Sequence, residues 1–385
     1  MSITIGIPKE IKEKEKRIAM VPVLLDKLIK SGATINIEKD VGSFIYVDDI
    51  SYKGAKVLED AKRLYASSDV ILKVQPPTEE EVHLMKDQTI LISFLYPHNN
   101  LKLIKILLQK NISSFAMELI PRISRAQDMD ALSSQATVAG YKAVLIAADN
   151  SRFFFPMLTT AAGSIRPAKV LVIGSGVAGL QAMATAKRLG AIVFGYDVRT
   201  ETKEQVESLG AKFIDVKIKA NGKGGYAREL TKEEKEEQTV ILAKHMAECD
   251  VVITTAGIPG KAAPKIITIS NLEKMRSGSI IVDLMAESGG NCEMTSAGEV
   301  VKYKQVTIIG PLNICSSLPI PSSEMYAKNI TNFLLLLLQN EKINFDFNDE
   351  ILASSVVTHQ GKIINSTINA QINAQIKEQF NIITS

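Results

Sequence analysis

Tryptophan is absent from the 385 residues, and aromatic residues together make up only 5%. Grooves that stack sugars or unpaired bases are built from such rings, so composition argues against a carbohydrate or single-strand nucleic-acid binder. Cysteine is scarce as well. Cys249, Cys292 and Cys315 are odd in number and widely separated, which reads as reduced thiols and not as a disulfide frame or a thiolate metal site. His83, His98, His245 and His359 are scattered without ligand or triad spacing, so no metal and no Ser–His–Asp or Cys–His machinery is expected. Charge of one sign is not in excess: 45 Lys and Arg against 42 Asp and Glu leave a formal +3, too little for a nucleic-acid partner. No apolar run approaches the ~18 residues of a membrane span; the longest, Phe333–Leu338, is closed by Gln339. The opening MSITIGIPKE has no basic stretch followed by an apolar one, so no secretory signal is read and a cytoplasmic location is expected.

What is present is an ordinary globular composition, 46% hydrophobic and 23% charged, in a chain long enough for two or three domains. Strand-like and helix-like segments alternate through the first 120 residues. Ile3–Ile7, Thr34–Glu38, Asp69–Val74, Thr89–Phe94 and Ile112–Ala116 read as strands, with helices in VPVLLDKLIKSG and LKLIKILLQK. From Asp130 the stretch MDALSSQATVAGYKAVLIAAD predicts one long helix, followed by a loop from Phe153 to Pro167. A second series places strands at Lys169–Ile173, Ile192–Tyr196, Lys212–Ile214, Val251–Thr254, Ser279–Asp283 and Val306–Ile309, and then a helix over Ser322–Gln339. The expected architecture is α/β, two Rossmann-like parallel-sheet domains separated by a cleft. The C-terminal piece is too short to stand alone, so the first domain is expected to be discontinuous, residues 1–137 plus 322–385, with the second at 138–321.

The strongest local signal is KVLVIGSGVAG. A β-branched strand leads into it and a helix, Leu180 to Leu189, follows. Gly174 permits the tight turn, Gly176 lets a pyrophosphate approach the backbone beside Val177, and Gly179 lets helix and strand pack closely. The phosphates then meet the free N–H groups at the positive end of the helix. The next strand ends at Asp197, roughly 20 residues on, where an acid accepts hydrogen bonds from the adenosine ribose and repels a 2′-phosphate. NAD(H) is therefore the expected cofactor. Arg199 is the counter-signal, because a nearby Arg can accommodate the phosphate of NADP.

Other segments concentrate polar groups. In RISRAQDMDALSSQ, either Asp128 or Asp130 is a helix cap and Arg122 an ion-pair partner, or the segment faces the nucleotide across the cleft, with Gln127 and a carboxylate–Arg pair holding the nicotinamide amide. Arg17 and Lys73 stand out near the N-terminus, Lys73 at the end of a predicted buried strand that opens toward the cleft. Lys217–Glu237 is a long polar excursion with Gly222, Gly224, Gly225 and Tyr226, either a solvated loop or a lid. AGIPGK, containing Gly257, follows a strand of the second sheet, as does DLMAESGGNCE.

Taken together these segments resemble the NAD(H)-binding component, domain I, of proton-translocating NAD(P) transhydrogenases, and more distantly L-alanine dehydrogenase. The resemblance rests on GIPKEIKEKEKRIAMVP, MELIPRISRAQDMDALSSQATVAGYKAV, AKVLVIGSGVAGLQA with Tyr196-Asp197-Val198-Arg199, GGYAR, TTAGIPGKAAPKII and VDLMAESGGNCE. It covers at least Ile3 to about Lys362. It implies that Arg122, Gln127, Asp130 and Ser133, with Asp128 and Met129 beside them, orient a dihydronicotinamide, and that Gly225 and Tyr226 belong to a loop that closes over bound nucleotide. It further implies hydride transfer from NADH on this chain to NADP⁺ held by another subunit, with ring carbons brought to roughly 3–3.5 Å. No acid–base residue is then needed, since no proton accompanies the hydride. The chain is expected to be the separate alpha-1 type subunit. It would be a homodimer, peripheral to the inner membrane through a membrane-embedded subunit and an NADP(H)-binding subunit.

Two rival readings are weaker. A free-standing alanine dehydrogenase would use Arg17 and Lys73 as its carboxylate-binding pair. However, His98 lies in an unmatched context, Glu287 stands where that family has its catalytic Asp, and Ser288 where it has Gln. A non-catalytic NAD-binding regulator would bind NADH and transfer nothing.

Overall fold

Runs of β-branched residues set the strands of both sheets. Val70–Leu72, Ile90–Ser93, Val251–Thr254 and Ile280–Asp283 are buried along their whole length, the pattern of strands covered on both faces. The computed structural model describes residues 2–215, 220, 228, 230–257, 262–339, 341–366 and 368–370. These fall into two units, one from Met1–Gln135 with Ser316–Ser385, the other Ala136–Cys315.

The first unit is built on an eight-stranded sheet in the order Lys362–Ile363, Val356–His359, Ser113–Ala116, Ile90–Ser93, Val70–Leu72, Thr4–Ile7, Thr34–Glu38, Ala55–Leu58. From Ser113–Ala116 onward the neighbours are parallel. The C-terminal strands join antiparallel at the edge, with a register shift between Val356 and Thr358. The parallel α/β sheet expected from the sequence is thus present, with an antiparallel edge added by the C-terminal segment. The tail is weakly patterned in sequence, and Val356–His359 takes its place in the sheet by pairing with Ser113–Ala116.

On one face the helix Pro319–Leu337 lays Tyr326, Ile330, Phe333, Leu334 and Leu337 against Ile5, Ile7, Ile35, Ile92 and Phe115. Phe115 and Phe333 meet edge-on at 5.4 Å. The other face is covered by Leu64, Tyr65, Val82, Ile104 and Leu107. Each large side chain so buried contributes about 1.5–3 kcal/mol.

In the second unit the sheet order is Lys212–Phe213, Ile192–Tyr196, Lys169–Ile173, Val251–Thr254, Ile280–Asp283, Val306–Ile309, Val300–Tyr303, parallel except for the last. Strand order reverses between Lys169–Ile173 and Val251–Thr254, the place where ligands bind at the carboxyl edge of an open α/β sheet. The predicted long helix is Ala131–Asn150, whose first turn belongs to the first unit. Within the expected loop, Leu158–Thr160 and Gly163–Ile165 form a short antiparallel hairpin, its turn relaxed by Gly163 at φ +101°.

The polar excursion is also shorter than its composition suggests. Lys232–Met246 is a helix, opened by a capping box between Thr231 and Glu234. The run KEEKEE is thus a solvated helical face. Gly222, Gly224, Gly225 and Tyr226 lie outside the described residues.

Candidate functional site

The glycine turn leaves the end of Lys169–Ile173 at the reversal point. Gly174 has φ +95°, and a Cβ there would lie 2.6 Å from Thr255 Oγ1. A Cβ on Gly179 would overlap the carbonyl oxygen of Gly174, which is how closely the helix Val177–Arg188 packs on the turn. Gly176 is different. A Cβ there would meet nothing within 4 Å, and no side chain caps the helix that starts behind it. The hydroxyl of Ser175, on a residue only 1% exposed, has no hydrogen-bond partner among the described residues. Open backbone, uncapped N–H groups and an unmatched buried hydroxyl fit an incoming phosphate diester.

Asp197, at the end of the adjacent strand, is tied to this turn. The backbone N–H of Ser175 donates to its Oδ2 at 2.7 Å, and the guanidinium of Arg199 donates to both of its oxygens. Val198 holds the chain beyond through its carbonyl, which accepts from Ala220 N–H at 3.0 Å. Gly174, Gly176, Val177, Gly179, Asp197, Val198 and Arg199 therefore share one corner of the second unit. Gly257 follows the neighbouring strand, where the end of the Met285 side chain packs against it and would have to shift to admit a Cβ.

That neighbouring segment is positioned by Asn291, a role that sequence alone does not assign. Its Oδ1 accepts from Thr254 Oγ1 at 2.6 Å and from Ala256 N–H at 3.2 Å; its Nδ2 donates to the carbonyls of Ala256 and Pro264. Asp283 in turn fixes Asn291, accepting from the N–H groups of Asn291 and Cys292 and from the Thr295 hydroxyl. Both residues sit in the polar segment noted in the sequence, but only the fold shows the amide turned back on the strand end.

The segment from Arg122 to Ser133 lies in the first unit. A 3-10 turn spans Ser124–Met129 and the long helix follows. Asp130 caps that helix, taking the Ser133 N–H at 2.9 Å on one oxygen and the Ser133 hydroxyl at 2.6 Å on the other. Arg122, Gln127 and Asp128 are exposed, whereas Met129 turns its side chain into the core. The side chains of Asn329 and Asn332 donate to the Asp128 carbonyl, anchoring the turn to the helix Pro319–Leu337.

Arg17 and Lys73 are buried and already matched. Arg17 gives Nε and Nη2 to the two oxygens of Glu15 and Nη1 to Gln135. Burial alone would raise the Glu15 carboxyl, but the hydrogen bonds and charge of Arg17, with a hydrogen bond from Gln75, hold it at about 2. Lys73 donates to Glu81 at 2.7 Å and lies 3.5 Å from Glu10. Burial opposes its charge, yet the two carboxylates raise its pKa overall. A substrate carboxylate would have to displace protein carboxylates from both cations.

Among the described residues, no cluster of His, Cys, Asp and Glu could hold a metal, and no helix is long and apolar enough to cross a membrane.

A reversed-order sheet with a glycine turn on its central strand and an acid at the next strand end defines an α/β protein of the Rossmann type. Residues 6–139 match the family "Alanine dehydrogenase/PNT, N-terminal domain", and residues 143–366 match "Alanine dehydrogenase/PNT, C-terminal domain". An NAD(P) transhydrogenase alpha subunit of Rickettsia prowazekii is 44% identical over 94% of this chain and 96% of its own length. The chain belongs to the alanine dehydrogenase/PNT family and, within it, to the NAD(P) transhydrogenase alpha subunits. A crystal structure of transhydrogenase from Sinorhizobium meliloti superimposes with a TM-score of 0.86, at 39% identity over 94% of this chain and all of that one. Alanine dehydrogenase 2 of Staphylococcus aureus is more distant, 26% identical over 94% of this chain and 95% of its own.

Proposed function

We propose that this chain binds NAD(H) at the carboxyl edge of the second unit's sheet and serves as the hydride-donating subunit of a proton-translocating NAD(P) transhydrogenase. The observation that carries the reading is the corner formed by Gly174, Ser175, Gly176 and Asp197. There, an uncapped helix start and an acid fixed by the turn's own N–H suit a pyrophosphate and a ribose together.

A nicotinamide nucleotide bound here would supply the hydride chemistry, with NADP⁺ on a partner subunit as the acceptor. The chain's own residues bind and orient. Gly176, Val177 and the helix N–H groups face the phosphates, Asp197 takes the ribose, and Arg122, Gln127, Asp130 and Ser133 set the ring. We read Gly257 as a further nucleotide contact, Asp128 and Met129 as neighbours of the ring, and Gly225 and Tyr226, which lie outside the described residues, as nucleotide contacts too. On this reading no proton donor is required of the chain, since no proton accompanies the hydride.

The relatives' naming as alpha subunits supports an assembly. We read this chain as a homodimer on the cytoplasmic side of the inner membrane. There it would be held by a membrane-embedded subunit and an NADP(H)-binding subunit that couple transfer to proton movement. The test is reconstitution: the chain with those two subunits should carry hydride between the two nicotinamide nucleotides. No transfer in the complete assembly, or robust turnover of L-alanine with NAD⁺ by the chain alone, would overturn the reading.

A further inference from the structure

Asp197 has no unoccupied acceptor position. Its Oδ1 accepts from the backbone N–H of Arg199 at 2.9 Å and from Arg199 Nε at 2.8 Å. Its Oδ2 accepts from the backbone N–H of Ser175 at 2.7 Å and from Arg199 Nη2 at 2.6 Å. A carboxylate has about four acceptor sites, so these donors saturate it. Two of the four are main-chain groups fixed by the strand end and the glycine turn, and they cannot leave without unfolding that corner. The other two belong to one side chain. Asp197 and Arg199 keep only 5% and 14% of their side-chain surface, so the guanidinium is part of what shields the acid from solvent.

A ribose has two hydroxyl donors to offer, the same number that the guanidinium supplies. It therefore reaches Asp197 only in exchange for the side chain of Arg199. We propose that Arg199 is a displaceable counter-ion that sets the nucleotide selectivity of the ribose site, holding Asp197 until a ribose diol takes over its two hydrogen bonds. The inference rests on the reading of Asp197 as the ribose-binding acid and adds how that acid is held in reserve.

Two consequences of opposite sign follow. Losing a charge-assisted, two-point pair opposes the binding of any nucleotide that engages Asp197, so the arginine weakens NADH. At the same time the released guanidinium stays two residues away, where its charge offsets the repulsion between Asp197 and a 2′-phosphate. It therefore softens the discrimination against NADPH. An arginine that lined the site as a phosphate ligand would do only the second. An arginine serving the fold alone would do neither.

The experiment is calorimetric titration of the full-length chain with NADH and with NADPH, for the wild type, Arg199→Gln and Arg199→Lys. Gln removes the charge and the fork; Lys keeps the charge but cannot bridge both oxygens. Arg199→Gln should bind NADH several-fold more tightly and NADPH several-fold more weakly, widening the ratio of the two constants by about tenfold or more. Arg199→Lys should give a ratio between those of the wild type and the Gln variant. Thermal unfolding of each variant establishes that it is folded at the titration temperature; if Gln is not tolerated, the Lys variant decides. An unchanged ratio, or weaker NADH binding in either variant, overturns the proposal while leaving the site in place. A wild-type chain that does not bind NADH refutes the reading of the site itself, and the counter-ion role with it.

Discussion

Gly140 on the long helix stands directly against Ala178 in the first turn of the helix Val177–Arg188: a methyl group at 140 would overlap the Ala178 carbonyl. Both residues belong to the second unit, so the long helix also backs the glycine turn. The contact is main chain against main chain, with no flexible side chain to yield.

Gly140→Ala should therefore shift the start of the helix Val177–Arg188 relative to Gly174 and Gly176. Overpacking of this kind typically costs about 1–3 kcal/mol. Urea unfolding should show that loss, and NADH affinity should fall several-fold because the displaced N–H groups are the proposed phosphate ligands. A variant with wild-type stability and wild-type affinity would mean the two helices separate freely.

Asn291 makes a second prediction. Its side chain, fully buried, joins Thr254, Ala256 and Pro264 through four hydrogen bonds. Asn291→Ala would leave Ala256 N–H and two carbonyls without these partners, at a cost of about 1–3 kcal/mol for each unsatisfied buried group. Asn291→Asp keeps the acceptor side but loses both donations and places a charge beside Asp283. Chemical denaturation should rank the wild type above both variants. NADH binding should weaken in any variant that still folds, since the segment at Gly257 is no longer held.

Much of this fold is legible from local pattern. Strands such as Lys169–Ile173, Ile192–Tyr196 and Val251–Thr254 fall where β-branched runs predict them, because buried parallel strands leave a continuous apolar signature. The glycine turn is legible for the same reason: Gly174 must take a positive φ and Gly179 must admit a carbonyl, and both demands are written in residue type. Pairing at a distance is not. Val356–His359 is a strand because Ser113–Ala116 offers it an edge, and Lys232–Met246 begins where Thr231 meets Glu234, not where hydrophobicity rises. At the site, the acid Asp197 is visible in the sequence, but its saturation by Arg199 is not. Arg17 and Lys73 read in the sequence as cations facing a ligand. Glu15, Glu10 and Glu81, which neutralise them, are brought there only by the fold.

The Glu15–Arg17 pair predicts how stability depends on acid. The folded carboxyl titrates at about 2 against an ordinary 4.5. On lowering the pH, the unfolded chain takes up the proton first. The pair's contribution, about 3 kcal/mol, is complete above roughly pH 4.5 and is lost as the pH falls toward 2. Glu15→Gln removes this dependence and leaves Arg17 buried beside a neutral amide, which costs about 3–5 kcal/mol at neutral pH. Urea unfolding at pH 7, 4 and 3 should show the gap between the wild type and Glu15→Gln narrowing as acid is added. Parallel stability curves would remove the pair from any account of acid sensitivity.

Asp130 tests the division between structure and chemistry most directly. Its carboxylate caps the long helix through Ser133 N–H and also holds the Ser133 hydroxyl. Asp130→Ala should lose about 1 kcal/mol, the usual cost of an N-cap, together with hydride transfer. Asp130→Ser restores a capping oxygen at the same place, so its unfolding midpoint should return most of the way to the wild type. If the carboxylate served the helix alone, that variant would recover transfer in the reconstituted assembly as well. The proposed ring-orienting role predicts otherwise. A serine is shorter and uncharged and cannot hold Ser133 while also meeting an amide, so transfer should stay at least about tenfold below the wild type with NADH affinity changed little. Stability and transfer should therefore separate in this one variant, and full recovery of both would reduce Asp130 to a cap.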